Sequence, residues 1–262
     1  MNHIYRNVVL RLIGKRALIT GATSGVGLKI TELLLARGVH VTAVGRRIEQ
    51  LDRLKKDFDR LKVYSVDMID SEHFSHFIKS IEIEGTYDYL INCAGFAEYG
   101  PLINQDDDVI ADMIHVNLTQ TVILTKHVLL KMNPGGMVVT IGSLSSKVTT
   151  PFGAIYAASK SGINQVMNAL RLEQSHIHFL TVNTGPVNTQ FIQKANKGKP
   201  MNQLAERVQL DVNQLSMQIV NAMIDRKTEL NLPVWMDSGL KIYGLAPRKL
   251  EKIFKKYFMT KK

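Results

Sequence analysis

The sequence predicts a single doubly wound α/β domain on a seven-stranded parallel sheet with helices on both faces. Three observations predict it. Short apolar runs bounded by turn residues alternate with stretches of helical period along most of the chain. The first of these runs ends in a glycine-rich turn that opens directly into an amphipathic helix. The 262 residues are 45% hydrophobic and 21% charged, and no Pro/Gly/Ser-rich linker divides them, so one large core is expected.

Taken in order, the elements are a strand at Ala17 to Thr20, a helix at Val26 to Arg37, a strand at Val39 to Val44 and a helix at Ile48 to Phe58. A strand at Val63 to Val66, a helix at Ser71 to Glu82, a strand at Tyr89 to Asn92 and a long helix at Asp107 to Met132 follow. The last third reads as a strand at Met137 to Ile141, a helix at Ala154 to Gln174, a strand at His178 to Asn183, a helix at Asn202 to Lys227 and a weaker strand at Leu230 to Trp235. Near-continuous apolar runs are the mark of strands buried on both faces. Right-handed crossovers then wind the sheet, and ligands of such sheets bind beyond the C-terminal strand ends, where the order reverses.

Composition bounds the function classes. A net charge of +10 and a single cysteine, Cys93, favour anionic ligands and a reducing, cytoplasmic setting. The apolar stretch from Val8 to Ile13 is interrupted by Arg11 and lacks the pattern of a signal peptide, and no run is long enough to span a bilayer. No helix-turn-helix, zinc-finger or RNA-binding signature accompanies the basic charge, so nucleic acid is not expected as a partner.

The chemistry-bearing residues gather at the expected C-terminal edge. Thr20, Gly21, Ala22, Thr23, Ser24, Gly25, Val26 and Gly27 link the first strand to its helix. Glycines there allow a tight turn, a close backbone approach to a pyrophosphate, and close helix–strand packing. A plain structural turn is the alternative. The second strand ends Val44, Gly45, Arg46, Arg47, so a glycine stands where an NAD-preferring protein offers an acid to the ribose hydroxyls. Arg46, with Arg47 second, suits a 2′-phosphate; two solvated arginines are the alternative. Tyr156 and Lys160, four apart on a helix, share a face. An ammonium about 4 Å from the phenol, at an effective dielectric of about 20, would lower its pKa by about 3 units and fit it for proton exchange near neutrality. Ser143, after the fifth strand, is placed to hydrogen-bond a substrate oxygen, and Asn117, a poor helix former inside a helix, implies a buried partner or a bound water.

Together these residues resemble the short-chain dehydrogenase/reductase family in its compact form. Thr20 to Gly27 is similar to its T-G-x-x-x-G-x-G loop, and Asn92, Cys93, Ala94, Gly95 to its N-N-A-G segment, with Cys93 in place of the second asparagine. Asn117, Ser143, Tyr156 and Lys160 match its catalytic tetrad, and Asp67 the residue that contacts adenine. Gly185, Pro186, Val187, Asn188, Thr189 resemble its P-G-x-V-x-T stretch at the nicotinamide, although Thr184 stands where proline is usual. The resemblance covers about Leu12 to Phe191. It implies a Rossmann-fold catalytic domain over residues 1–245, with 191–227 covering the substrate, that exchanges a hydride between NADP(H), preferred over NAD(H), and a carbonyl or secondary alcohol. Tyr156 would be the acid/base, Lys160 would lower its pKa and hold the nicotinamide ribose, Ser143 would polarise the carbonyl, and Asn117 would hold a relay water. A homodimer or homotetramer is implied by the same resemblance. A dinucleotide-binding sensor or scaffold without turnover is the alternative.

Other features carry less. His73 and His76, and His176 and His178, lack the companions that complete a metal site, and none is expected. Asp106, Asp107 and Asp108 read as helix capping. Residues 246–262 form a basic amphipathic helix, with Leu250, Ile253, Phe254, Tyr257 and Phe258 at helical spacing and Lys249, Lys252, Lys255 and Lys256 largely on other faces. Packing on the body or across a dimer is the preferred reading of it, and peripheral contact with an acidic membrane the alternative.

Overall fold

The computed structural model describes residues 12–198 and 206–255. The chain runs β1 (Arg16–Thr20), α1 (Gly25–Leu35), β2 (His40–Gly45), a 3-10 turn (Ile48–Leu51) into α2 (Asp52–Asp57), β3 (Leu61–Ser65), α3 (Ser71–Glu82) and β4 (Tyr87–Asn92). It continues through α4 (Asp107–Ile114), a π-helical turn (His115–Gln120), α5 (Thr121–Leu129), β5 (Met132–Ile141), α6 (Ala154–Glu173) and β6 (His178–Thr184). α7 (Gln190–Ala195), α8 (Val212–Ile224), β7 (Glu229–Leu232), α9 (Val234–Leu245) and α10 (Pro247–Ile253) complete it. All seven strands are parallel, in the order β3-β2-β1-β4-β5-β6-β7.

Alternation along the strands divides the core in two. On one face Ala17, Ile19, Val139 and Val182 meet Ile30 and Leu34 of α1 and Ile219, Val220 and Met223 of α8. On the other Leu18, Leu90, Val138 and Phe179 meet Phe74 and Phe77 of α3, Leu124 of α5 and Ile163 and Met167 of α6. Adjacent residues such as Leu18 and Ile19 point to opposite faces and are both fully buried. That is why these strands read as continuous apolar runs rather than alternating ones. The strand order reverses between β1 and β4, so the crossovers diverge and leave a crevice at the C-terminal ends.

The structure corrects several sequence-based boundaries. The expected helix from Asp107 to Met132 is three pieces: α4, a π-helical turn around Asn117, and α5, which stops at Leu129. The Thr121 hydroxyl donates to the Val116 carbonyl (3.1 Å), and the Asn117 side chain is engaged elsewhere, which favours the wider turn. Met132 is the first residue of β5 and pairs with Tyr87. The seventh strand ends at Leu232 rather than Trp235, because Pro233 has no N–H to extend the ladder and α9 begins at Val234. The helix expected from Asn202 to Lys227 is interrupted within the described residues: Glu206 and Arg207 are helical, the chain breaks at 208–211, and α8 then starts under the Asp211 carboxylate, which accepts from the Gln214 N–H (2.8 Å). Just before it, the Leu210 N–H donates to the Pro186 carbonyl (2.8 Å) and pins the chain beneath the loop after β6. Asn202, at the start of that expectation, lies outside the described residues, as do Lys256, Tyr257 and Phe258 of the expected C-terminal helix.

Candidate active site

The glycine turn is built by steric necessity. Gly21 has φ +65, and a Cβ there would stand 2.9 Å from the Ala94 backbone nitrogen. A Cβ on Gly27 would fall 2.3 Å from the Gly21 carbonyl oxygen, so only glycine lets α1 close onto β1. The Thr20 hydroxyl accepts from the N–H groups of Cys93 and Ala94 (both 3.2 Å), tying the ends of β1 and β4 together. Ser24, the N-cap of α1, makes no side-chain capping bond, and the first turn carries no acid. The backbone donors and dipole of an eleven-residue helix therefore face the crevice.

A cavity of about 840 Å³ opens there, lined among others by Gly21, Ser24, Gly25, Val26, Ala94, Gly95, Ser143, Tyr156, Lys160, Gly185, Val187 and Thr189. These are sequence-expected site residues from five separate segments, brought to one wall-to-wall space. The remaining expected residues are outside its lining. Thr23 fills the space over Gly45, where a Cβ would come within 2.6 Å of its methyl group. Asn92 is buried and donates to the hydroxyls of Thr125 (3.0 Å) and Thr140 (3.4 Å), bracing β4 against α5 and β5. Arg46 and Asp67, at the ends of β2 and β3, form a solvent-exposed pair with Nη1 3.7 Å from Oδ2. Arg47 adjoins them, and the charges of Arg47 and Arg46, after burial, hold the pKa of Lys194 of α7 below the usual lysine value.

Tyr156 and Lys160 are both buried and both face the cavity. Tyr156 is wedged between Tyr99 and Phe191, with ring centroids 5.9 Å away on each side. The Lys160 ammonium donates to the Ile141 carbonyl (2.8 Å) and lies 5.9 Å from the Tyr156 ring centre. Burial governs the phenol. It raises Tyr156 to about 12, against a hydrogen bond with Ser143 that pulls it down. This corrects the expectation that the lysine acidifies the tyrosine in the protein by itself. Burial also lowers Lys160 to about 8 and raises the Cys93 thiol, beside it in the cavity wall, to about 11.

Ser143 caps a short 3-10 turn (Leu144–Lys147), its hydroxyl accepting from the Ser145 N–H (3.1 Å). Asn117 grips the loop after β4. Its Oδ1 accepts from the Phe96 N–H (2.9 Å), while Nδ2 donates to the Phe96 carbonyl (2.8 Å) and to the Ser159 hydroxyl (3.1 Å). Ser159 in turn donates to the Tyr156 carbonyl (2.8 Å), so this carboxamide sets the loop against the helix that carries the phenol. Asn117→Ala strands the Phe96 groups in a buried site at a cost of about 1–3 kcal/mol for each unpaired group. Urea unfolding is expected to show a lower midpoint with unchanged slope.

Residues 15–200 match the family model described as short chain dehydrogenase. The chain belongs to the short-chain dehydrogenase family. Similar proteins include the NADPH-dependent 1-acyldihydroxyacetone phosphate reductase of Saccharomyces cerevisiae, 33% identical over 190 residues that make up 69% of this chain and 63% of the yeast protein. Dehydrogenase/reductase SDR family member 7B of Xenopus laevis is 32% identical over 195 residues, 69% of this chain and 60% of that one. The chain thus matches less than two thirds of the length of these relatives. A solved short-chain dehydrogenase from Streptomyces avermitilis superposes with a TM-score of 0.76 at 25% identity, over 93% of this chain and 96% of that one. One from Sphingobium yanoikuyae, in complex with NADPH, shares the fold with a TM-score of 0.77 at 22% identity, over 91% of this chain and 95% of that one.

Phe191 of α7, Val208 before α8 and Val212 of α8, all within the segment expected to cover the substrate, line this short-chain dehydrogenase cavity. Sequence reasoning missed Trp235, Met236 and Leu240 of α9, which line it as well. The signal for α9 was present, since Met236, Leu240 and Tyr243 recur at helical spacing after Pro233. Among the described residues, Lys160 is the one ionisable nitrogen of the lining side chains and no carboxylate lines the cavity.

Proposed function

We propose that the protein is an NADP(H)-dependent oxidoreductase that interconverts a carbonyl and a secondary alcohol, with Tyr156 as the general acid and base. The observation that carries this reading is the meeting of Ser143, Tyr156 and Lys160 in one cavity with the uncapped start of α1. A pure binding protein has no use for that trio. The glycine cradle fits a dinucleotide pyrophosphate, because the missing side chains of Gly21 and Gly27 let the turn close against β4 and α1 close onto β1, which brings the N-terminal donors of α1 to the crevice. A bound nicotinamide dinucleotide supplies the two-electron donor or acceptor.

The chain's own residues do the rest. Ser143 and Tyr156 direct their hydroxyls at the substrate oxygen, and Tyr156 gives its proton to that oxygen as the carbonyl is reduced. A phenol held near 12 is protonated at neutral pH, ready to act as the acid. Lys160 balances the phenolate charge that results. Gly95, whose missing side chain leaves room 3.6 Å from the Lys160 nitrogen, keeps that end of the cavity open. Phe191, Val208 and Val212 support the reading that the segment 191–227 covers the substrate.

Because burial lowers Lys160 to about 8, its ammonium is present below that pH and lost above it. Reductive kcat/KM for NADPH, which reports the free protein, is expected to be level below about pH 8 and to fall above it.

Preference for NADP over NAD rests on three cations, Arg46, Arg47 and Lys194, gathered where a 2′-phosphate would lie, and on the NADPH dependence of the yeast relative. Titration with both reduced cofactors, then a panel of ketones and alcohols followed by nicotinamide absorbance, tests the whole reading. NADPH is expected to bind more tightly, and Arg46→Asp to narrow the gap by about tenfold or more, the worth of one charge-assisted phosphate contact of about 1.5–3 kcal/mol. Equal affinities in the wild type refute the preference; no turnover with any member of the panel favours the silent-binder alternative.

A further inference from the structure

We propose that the surface built by α9 and α10 docks on an anionic lipid bilayer and sets the mouth of the cavity against it. α9 turns Asp237 inward and lines the cavity with Met236 and Leu240, yet its outer side is apolar. Val234 is 67% exposed, Trp235 62%, Ile242 65% and Leu245 85%. At 3.6 residues per turn these four fall within an arc of about 100°. A surface helix ordinarily shows its polar side to water, so this helix has its apolar stripe reversed. Ile253 is 71% exposed on α10, the helix that follows.

Charge decides what covers it. Lys241 flanks the stripe, and Lys249, Lys252 and Lys255 are exposed beside Ile253, on a chain of net charge +10. A second copy of this chain meeting the patch about a twofold axis would set these lysines against themselves. An acidic bilayer instead attracts them, and an apolar stripe rimmed by lysines is the composition of a helix that lies in the interface. The patch is also anchored as part of the body. Asp237 pairs with Lys147 (3.3 Å), and the Tyr243 hydroxyl donates to Thr149 (2.9 Å) on the loop that follows Ser143. Trp235 both lines the cavity and faces outward, so the patch runs directly into the cavity mouth.

Trp235 is the chain's single tryptophan, so its emission reports contact at the patch itself. The full chain is titrated with phosphatidylcholine vesicles with and without phosphatidylserine, following emission and pelleting. A blue shift and pelleting with the phosphatidylserine vesicles are expected. The combined change Lys249→Gln, Lys252→Gln and Lys255→Gln is expected to weaken binding about a hundredfold, and Ile242→Ser with Leu245→Ser to remove the blue shift. Both variants alter exposed residues, so thermal midpoints equal to that of the wild type are expected, and measuring them separates lost binding from misfolding. No shift with phosphatidylserine vesicles overturns the proposal, as does equal binding of the lysine variant. A concentration-dependent shift without vesicles, with doubled mass by light scattering, overturns it in favour of self-association. Cofactor titration, read separately, keeps this result distinct from the catalytic reading.

Discussion

Tyr156→Phe is expected to lower turnover by about 10²- to 10⁴-fold, the worth of general acid catalysis, while leaving cofactor affinity and fold stability close to the wild type. The substitution removes one oxygen. The ring keeps its contacts with Tyr99 and Phe191, and the rest of the cavity wall is untouched. The affected step is the one in which negative charge develops on the substrate oxygen, so the loss belongs in kcat rather than in cofactor binding. Steady-state kcat beside an NADPH titration separates the two. Wild-type turnover in the Phe variant would mean that the proton comes from elsewhere, whereas loss of cofactor affinity together with stability would mean that the hydroxyl is structural.

Gly27→Ala has the second large expected effect, and it falls on binding and folding rather than on chemistry. The added methyl would lie 2.3 Å from the Gly21 carbonyl oxygen and 2.8 Å from its carbon. Both are backbone atoms of the turn that must hold its shape against Ala94, so neither rotates away. Such overpacking costs about 1–3 kcal/mol, and relief requires α1 to move off β1, which carries its N-terminal donors away from the crevice. Urea unfolding and NADPH titration are both expected to weaken. Gly100→Ala is the control, because a Cβ there meets nothing within 4 Å. Equal stability of the two variants would refute the steric account of the turn.

Much of the site was legible because it rests on short-range chemistry. The glycine turn, the Tyr156–Lys160 spacing and Ser143 after a buried strand are local patterns, and a parallel sheet delivers strand ends to one edge whatever the details of its helices. The π-helical turn at Asn117 was not legible, because it depends on the Phe96 backbone, twenty-one residues away in sequence. Sequence reasoning assigns no element to α9, although Met236, Leu240 and Tyr243 stand at helical spacing, because it carries the apolar run through Trp235 into the seventh strand, past Pro233.

The amino-acid sequence alone therefore determined the layered sheet, the glycine turn after β1 and the arrival of Ser143, Tyr156 and Lys160 at one crevice, since each follows from backbone sterics or from the period of apolar residues. Tertiary structure alone decided their electrostatics. Burial holds Tyr156 near 12 against its hydrogen bond with Ser143, and burial holds Lys160 near 8, with its ammonium donating to the Ile141 carbonyl 5.9 Å from the Tyr156 ring centre. Burial is a property of everything packed around a group, and spacing along one helix does not contain it.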